Sequence, residues 1–328
     1  MATYRILSLD GGGVRGAFAA RLLERLEAAH PGFIARADLI AGTSAGGLLA
    51  LGLAKGLPPA RCRALIEDNA PNIFPRDFPY SLGLFRTIKR FFAALYGNDD
   101  LRDALYNEFG DLKLKDLRPR VLITTFDLDG DLPDRPRTWK PKFFHNFEET
   151  PRGGPPDREQ TLLDVALRTT AAPTFFPIYQ GFVDGGVVAN NPSMCALAQA
   201  LHAPTGGQRL DDVVLLSLGT GVDPTRLEAQ DKSWGIAQWF LRKVKLTDAL
   251  VGGVEDVAEF QCRQVMQTRF HRLNPVLCQP GRPELCDIGL DVVKAIPALV
   301  RFADSAPLTD ARAQVETVKW LRDFWMRD

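Results

Sequence analysis

Three short segments hold residue types that could do chemistry together: Gly42-Thr43-Ser44-Ala45-Gly46, Asp10-Gly11-Gly12-Gly13-Val14-Arg15-Gly16, and Asp184-Gly185-Gly186. The first reads G-x-S-x-G. An apolar run, Ala37 to Ala41 with one acid, leads into it as a strand, and a second, Gly47 to Ala54, leaves it as a helix. Strand, Gly-x-Ser-x-Gly, helix is the context a nucleophile elbow requires. The glycines allow a sharp turn that lifts the Ser44 hydroxyl to a helix N-terminus, where backbone amides favour developing negative charge.

The second segment follows the strand-like run Tyr4–Leu9 and precedes a helical pattern over Ala17–Ala29, with Phe18, Leu22, Leu23 and Leu26 on one face. Three successive glycines at a helix start expose a row of N–H groups, which binds an anion. That anion is either a phosphate or the oxyanion of an acyl-transfer intermediate. Gly11, Gly13 and Gly16 also fit the dinucleotide pattern G-x-G-x-x-G, with Asp38 about 20 residues on. The acid of that pattern should end the second strand, however, and Asp38 opens it. A P-loop is excluded because no Gly-Lys-Ser/Thr follows the glycines.

A serine hydroxyl needs a base. The chain has four histidines, His30, His145, His202 and His271, of which only His202 and His271 follow Asp184 in the order Ser…Asp…His. Asp184 closes the apolar run Gly181-Phe182-Val183 and can itself take the proton if it touches Ser44. Its intrinsic basicity is low, so the oxyanion amides must then carry more of the barrier. One such donor is worth about 3 kcal/mol in other enzymes.

The three segments, in this order, resemble the patatin-like phospholipase family. Ala171-Ala172-Pro173-Thr174-Phe175-Phe176-Pro177 and Ser217-Leu218-Gly219-Thr220-Gly221 resemble its bacterial members, and the similarity spans about residues 4 to 221. It implies a mostly parallel central sheet flanked by helices in three layers (an α/β fold). It also implies a Ser–Asp dyad without histidine, with Ser44 as nucleophile and Asp184 as base. The amides of Gly11, Gly12 and Gly13 would form the oxyanion hole. The implied reaction is hydrolysis of phospholipid or lysophospholipid acyl esters through an acyl-serine, of phospholipase A or lysophospholipase type. Arg15 is a candidate to steady the glycine loop or to approach a phosphate head group. No cofactor is implied, and no metal-binding cluster is visible.

The elements that must position these residues alternate as βαβ units do. The patterns predict strands at Tyr4–Leu9, Leu39–Ala41, Val121–Phe126, Lys142–Asn146, Phe182–Asp184 and Val213–Ser217. Helices are expected at Ala17–Ala29, Ala45–Ala54, Pro59–Asn69, Leu162–Thr170 and Pro192–His202. The glycines, Ser44 and Asp184 all fall at the carboxyl ends of strands, where open sheets bind ligands. Asp127 to Gln160, with six prolines, is expected to be a surface excursion. The whole chain of 328 residues reads as a single domain, with residues 222–328 as a helical C-terminal extension.

Hydrophobic residues at 45% and charged residues at 24% are ordinary for a globular chain, and 40 basic residues balance 40 acidic ones. That balance argues against a nucleic-acid polymer as partner and leaves membrane contact to a local patch. The five cysteines, Cys62, Cys195, Cys262, Cys278 and Cys286, are irregularly spaced and suggest reduced thiols. With no evident leader, the expected location is the cytoplasm, with peripheral contact at the inner membrane surface. The apolar stretch Leu39–Leu57 is broken by Thr43, Ser44, glycines and Lys55, so it reads as buried core rather than a span.

Two aromatic and basic stretches, Leu84–Tyr96 and Trp234–Lys245, have the composition of interfacial helices and are candidates for a lid or lipid contact. Some bacterial members of the resembled family are held to be switched on by cyclic nucleotides. A ligand-activated phospholipase effector is therefore the alternative expectation. In it, residues 222–328 supply a control element or a homo-oligomer contact.

Overall fold

The structure is a computed structural model and describes residues 3–75, 93–132, 135–148, 156–224, 233, 235 and 246–327. Most of the two aromatic and basic stretches, residues 84–92, 234 and 236–245, lies outside the described residues.

Seven strands form the central sheet: β1 (Tyr4–Leu9), β2 (Leu39–Thr43), β3 (Arg120–Leu132), β4 (Arg135–His145), β5 (Phe182–Asp184), β6 (Val213–Leu218) and β7 (Phe270–Leu273). The order is β4-β3-β2-β1-β6-β7, with β5 paired to β3. The β2–β1, β1–β6, β6–β7 and β2–β3 pairs are parallel, and β4 and β5 run antiparallel to β3. The sheet is therefore mostly parallel, as expected.

Its strands are apolar on both faces, as a sheet covered on both sides must be. Leu7, Leu9, Ile40, Val121, Ile123 and Leu216 point into the larger core. Their alternates Ile6, Leu39, Ala41, Leu122, Val213 and Leu215 point into the smaller one. The larger core is covered by α1 (Gly16–Ala29), α2 (Ala45–Lys55), α3 (Pro59–Ile73), α4 (Asp99–Phe109) and α5 (Leu162–Thr169), joined later in the chain by Ile296–Ser305. The short helix α6 (Gly186–Ala189) follows β5. The smaller core is closed by α7 (Ser193–Leu201) and α8 (Leu246–Met266), through residues such as Leu197, Cys262 and Met266. This makes three layers, and α2, far from spanning a bilayer, is the buried helix at the centre. Among the described residues no helix is long and apolar enough to cross a membrane.

Three expectations are corrected. The surface excursion from Asp127 is more ordered than expected: beyond the predicted strand at Lys142–Asn146, β3 and β4 run on as a long hairpin, paired out to Leu132 and Arg135. Pro136 and Pro141 masked it, yet both sit on the edge strand, where a missing N–H is tolerated. Residues 222–328, expected as a helical extension, also supply β7 to the sheet, where Leu215–Leu218 pair with Phe270–Leu273. Cys278 and Cys286 are joined in a disulfide, whereas Cys62, Cys195 and Cys262 are free. The intervening Gln279-Pro280-Gly281-Arg282 turns back on itself, with Gly281 at φ 85° and Arg282 N–H donating to the Gln279 carbonyl, which brings the two thiols together.

Candidate active site

Strand β3 brings Ser44 and Asp184 together. Thr43, the last residue of β2, is opposite Thr124, and Asp184, the last residue of β5, is opposite Thr125. Strand β2 runs parallel to β3 and β5 antiparallel, so their carboxyl ends meet head-on beside consecutive β3 residues. A serine and an aspartate 140 positions apart thus come into contact.

Ser44 sits at φ 54° and ψ −126°, a conformation that non-glycine residues rarely adopt and that stores strain at functional sites. Its surroundings hold it there. The Ser44 N–H donates to Thr169 Oγ1 at 2.8 Å, and Thr169 Oγ1 donates to the Thr124 carbonyl at 2.7 Å. Thr43 Oγ1 lies 2.6 Å from Thr124 Oγ1. The elbow's glycines answer to close packing: a Cβ on Gly42 would lie 2.2 Å from the Gly46 carbonyl, and one on Gly46 2.3 Å from the Leu9 carbonyl. Helix α2 then begins at Ala45, with its free N-terminal amides around the serine.

Asp184 is buried, and its Oδ1 accepts the Gly186 N–H at 2.7 Å. Burial pushes its carboxyl up to about 6, and hydrogen bonds from the Ser44 side chain and from Gly186 work against that rise. A carboxylate so placed is a better base than a solvated one. The histidines are engaged elsewhere. His30 Nε2 lies 2.8 Å from the Val318 carbonyl, His202 Nδ1 is 2.9 Å from Thr205 Oγ1, and His145 stacks edge-on with Phe147. His271 bonds Thr317 Oγ1 at 2.9 Å, and burial lowers it to about 4.

The glycine loop passes close to Ser44, since a Cβ on Gly11 would lie 3.2 Å from Ser44 Cβ. Its three amides are not equivalent. Gly11 N–H already donates to the Asn190 carbonyl at 3.1 Å, and Val14 N–H to the Leu290 carbonyl at 2.9 Å. Those of Gly12 and Gly13, between them, donate to no group among the described residues. Gly13 has φ 55°, and a Cβ there would meet the Leu290 carbonyl at 2.3 Å. Arg15 Nη1 reaches the Gly221 carbonyl at 3.4 Å, tying this loop to the one that follows β6. Under the loop, Asp10 Oδ2 accepts from Arg272 Nη2 at 2.6 Å; burial pushes that carboxyl up and the guanidinium pulls it back.

An apolar cleft opens at Ser44. Leu49 of α2, Ile66 of α3, Leu105 and Phe109 of α4, Phe176 and Leu290 are among its walls. From α2 only the first turns line it, through Ala45, Leu48 and Leu49. Cys62, which also lines it, would touch a Cβ on Gly52 at 2.9 Å, and Lys55 at the end of α2 bonds Glu108 at 3.0 Å, next to Phe109. Residues 93–96, the end of the first aromatic stretch, pack beside it: Tyr96 N–H donates to the Phe175 carbonyl at 2.9 Å.

The fold agrees with the family whose sequence pattern the chain matches. The sequence pattern described as Patatin-like phospholipase matches residues 7–197, and the chain belongs to that family. It is a member of a family of lipid hydrolases. CotR of Bacillus subtilis (strain 168) is 36% identical over 246 residues, 72% of this chain and 68% of its own. Patatin-like protein 2 of Arabidopsis thaliana is 28% identical over 316 residues, covering 84% of this chain and 75% of its own. The cGAMP-activated phospholipase of Escherichia coli (strain TW11681) is 36% identical over 236 residues, 66% of this chain and 62% of its own.

Proposed function

We propose that the chain hydrolyses acyl esters of phospholipids or lysophospholipids through a Ser44 acyl-enzyme. The observation that carries this is an apolar cleft ending at a strained serine in contact with a buried carboxylate. Asp184 takes the Ser44 proton as Oγ attacks the ester carbonyl. The oxyanion is met by the amides of Gly12 and Gly13, with Gly11 holding the loop and Arg15 steadying it. The alcohol leaves with the proton from Asp184, and water then repeats the sequence on the acyl-serine. None of these steps calls for a metal or cofactor. A fluorophosphonate probe should label the protein at Ser44, and vesicles should yield free fatty acid and the matching lysophospholipid. A folded protein that neither labels nor hydrolyses vesicles, with or without an added activator, would sink the reading.

A second reading, a phospholipase held inactive until a nucleotide binds, is favoured by the relative named a cGAMP-activated phospholipase. Under it, labelling appears only when cGAMP is added. Cytoplasmic location, contact with the inner membrane surface and homo-oligomer formation remain part of the proposal.

The acyl chain is read as lying in the apolar cleft that opens at Ser44. Ala104, on the α4 wall, is a place to shorten it. Ala104→Phe should exclude about three methylenes at ~0.8 kcal/mol each, lowering kcat/KM for a hexadecanoyl ester about 50-fold relative to a butanoyl one. Equal losses on both esters would place the chain elsewhere.

A further inference from the structure

Asn190 comes six residues after Asp184 and is buried. Its carbonyl accepts the Gly11 N–H at 3.1 Å, and its Nδ2 donates to the Gly11 carbonyl at 3.3 Å. Thr220 Oγ1 donates to that same carbonyl at 3.0 Å. The Gly11 carbonyl shares one planar peptide with the Gly12 N–H, and in a trans peptide the two point in opposite directions. Whatever grips the Gly11 oxygen therefore aims the Gly12 N–H.

An asparagine amide grips that oxygen only when its NH2 side faces it; flipped, it would set oxygen against oxygen. The orientation is decided by Glu255 of α8. Its carboxylate, which only accepts, takes the other Nδ2 proton of Asn190. The Asn190 Oδ1 is left between two glycines, where a Cβ on Gly11 would lie 2.2 Å away and one on Gly186 3.0 Å. Asn191 Nδ2 also reaches the Glu255 backbone carbonyl at 3.4 Å. Glu255 is in addition the foremost acid acting on the buried Arg15 guanidinium at the other end of the loop.

We propose that Glu255, acting through Asn190, is a positioning residue for the oxyanion donor Gly12. Helix α8, which lies outside the matched residues 7–197, thereby takes part in catalysis. This rests on the reading of Gly12 as a donor. It makes the state of α8 a determinant of turnover: moving the helix releases the amide that aims the donor.

The test is kcat per active site on a soluble short-chain ester, with sites counted by fluorophosphonate titration. Glu255→Ala should lower kcat per titrated site 10- to 100-fold, the scale of a misplacement of about 1 Å, with KM within about twofold. Glu255→Gln keeps an oxygen acceptor for Asn190 and should fall less than threefold. Asn190→Asp, of the same size but without the donor, should fall at least 10-fold per site. It serves as the second probe if Glu255→Ala does not fold. A merely structural role would reduce the number of titratable sites and leave the rate per site intact. That result, or equal losses in the alanine and glutamine variants, overturns the proposal while the hydrolase reading stands. No labelling of the unsubstituted protein would take both.

Discussion

Ser44→Ala is expected to reduce ester hydrolysis by about 10⁵- to 10⁶-fold, the scale seen when a nucleophile is removed from a serine hydrolase. The reason is that nothing nearby can replace the hydroxyl. The Thr43 Oγ1 is turned into the sheet against Thr124 and the Ala189 carbonyl, and the Thr169 hydroxyl is committed to the Thr124 carbonyl. The fold should survive. The elbow is held by backbone contacts, by the Thr169 bond to the Ser44 N–H and by the packed glycines, all of which alanine keeps. The residue at 44 stays at a positive φ, so the strain is unchanged. Fatty-acid release from vesicles and a melting curve check both halves. Residual activity within 100-fold of the parent, in a folded variant, would move the nucleophile elsewhere.

Much of this site was legible in the sequence because its parts are local. A turn that forces a serine to φ 54° needs glycines two residues on either side, so Gly42, Ser44 and Gly46 announce themselves. The near-continuous apolar runs at Tyr4–Leu9 and Val213–Ser217 predict buried strands, and both are found in the parallel part of the sheet, the second reaching Leu218. What was not legible depends on distant pairing. The engagement of the Gly11 N–H is set by Asn190, 179 residues away. Asn190 lies just past the Asp184 motif, where its position was the only signal. Glu255 has no local signature at all: an acid on an amphipathic helix is ordinarily a solvated one. Pro136 and Pro141 hid the first half of β4, whose second half is the predicted strand Lys142–Asn146, because proline argues against a strand unless that strand is known to lie at an edge. The Cys278–Cys286 pair had a readable cue, a Pro-Gly turn between them.

Asp184→Asn is expected to lower kcat by about 10³- to 10⁴-fold, the upper part of the range for general acid–base catalysis, and its pH dependence should identify the base. Asparagine is nearly the same size. Its Oδ1 can still accept the Gly186 N–H, which leaves an NH2 facing Ser44 that can donate but cannot take a proton. In the unsubstituted protein the carboxyl must be ionised to act, and burial raises it to about 6. Activity should therefore be half-maximal near pH 6 and level above about pH 7. The stability trend has the opposite sign. The carboxyl lies higher in the folded chain than its ordinary value of 3.8, so the folded state binds the extra proton. That stabilisation is complete below about pH 4 and is lost as the pH rises through about 6. Asparagine does not titrate, so at pH 8 the variant should melt at or above the parent temperature while losing its activity. The remaining slow hydrolysis should also lose the step near pH 6. If that step persists in Asp184→Asn, it belongs to another group. Asp10, which burial also raises, would then be the first to examine, and Asp184 would be left to orient Ser44 without taking its proton.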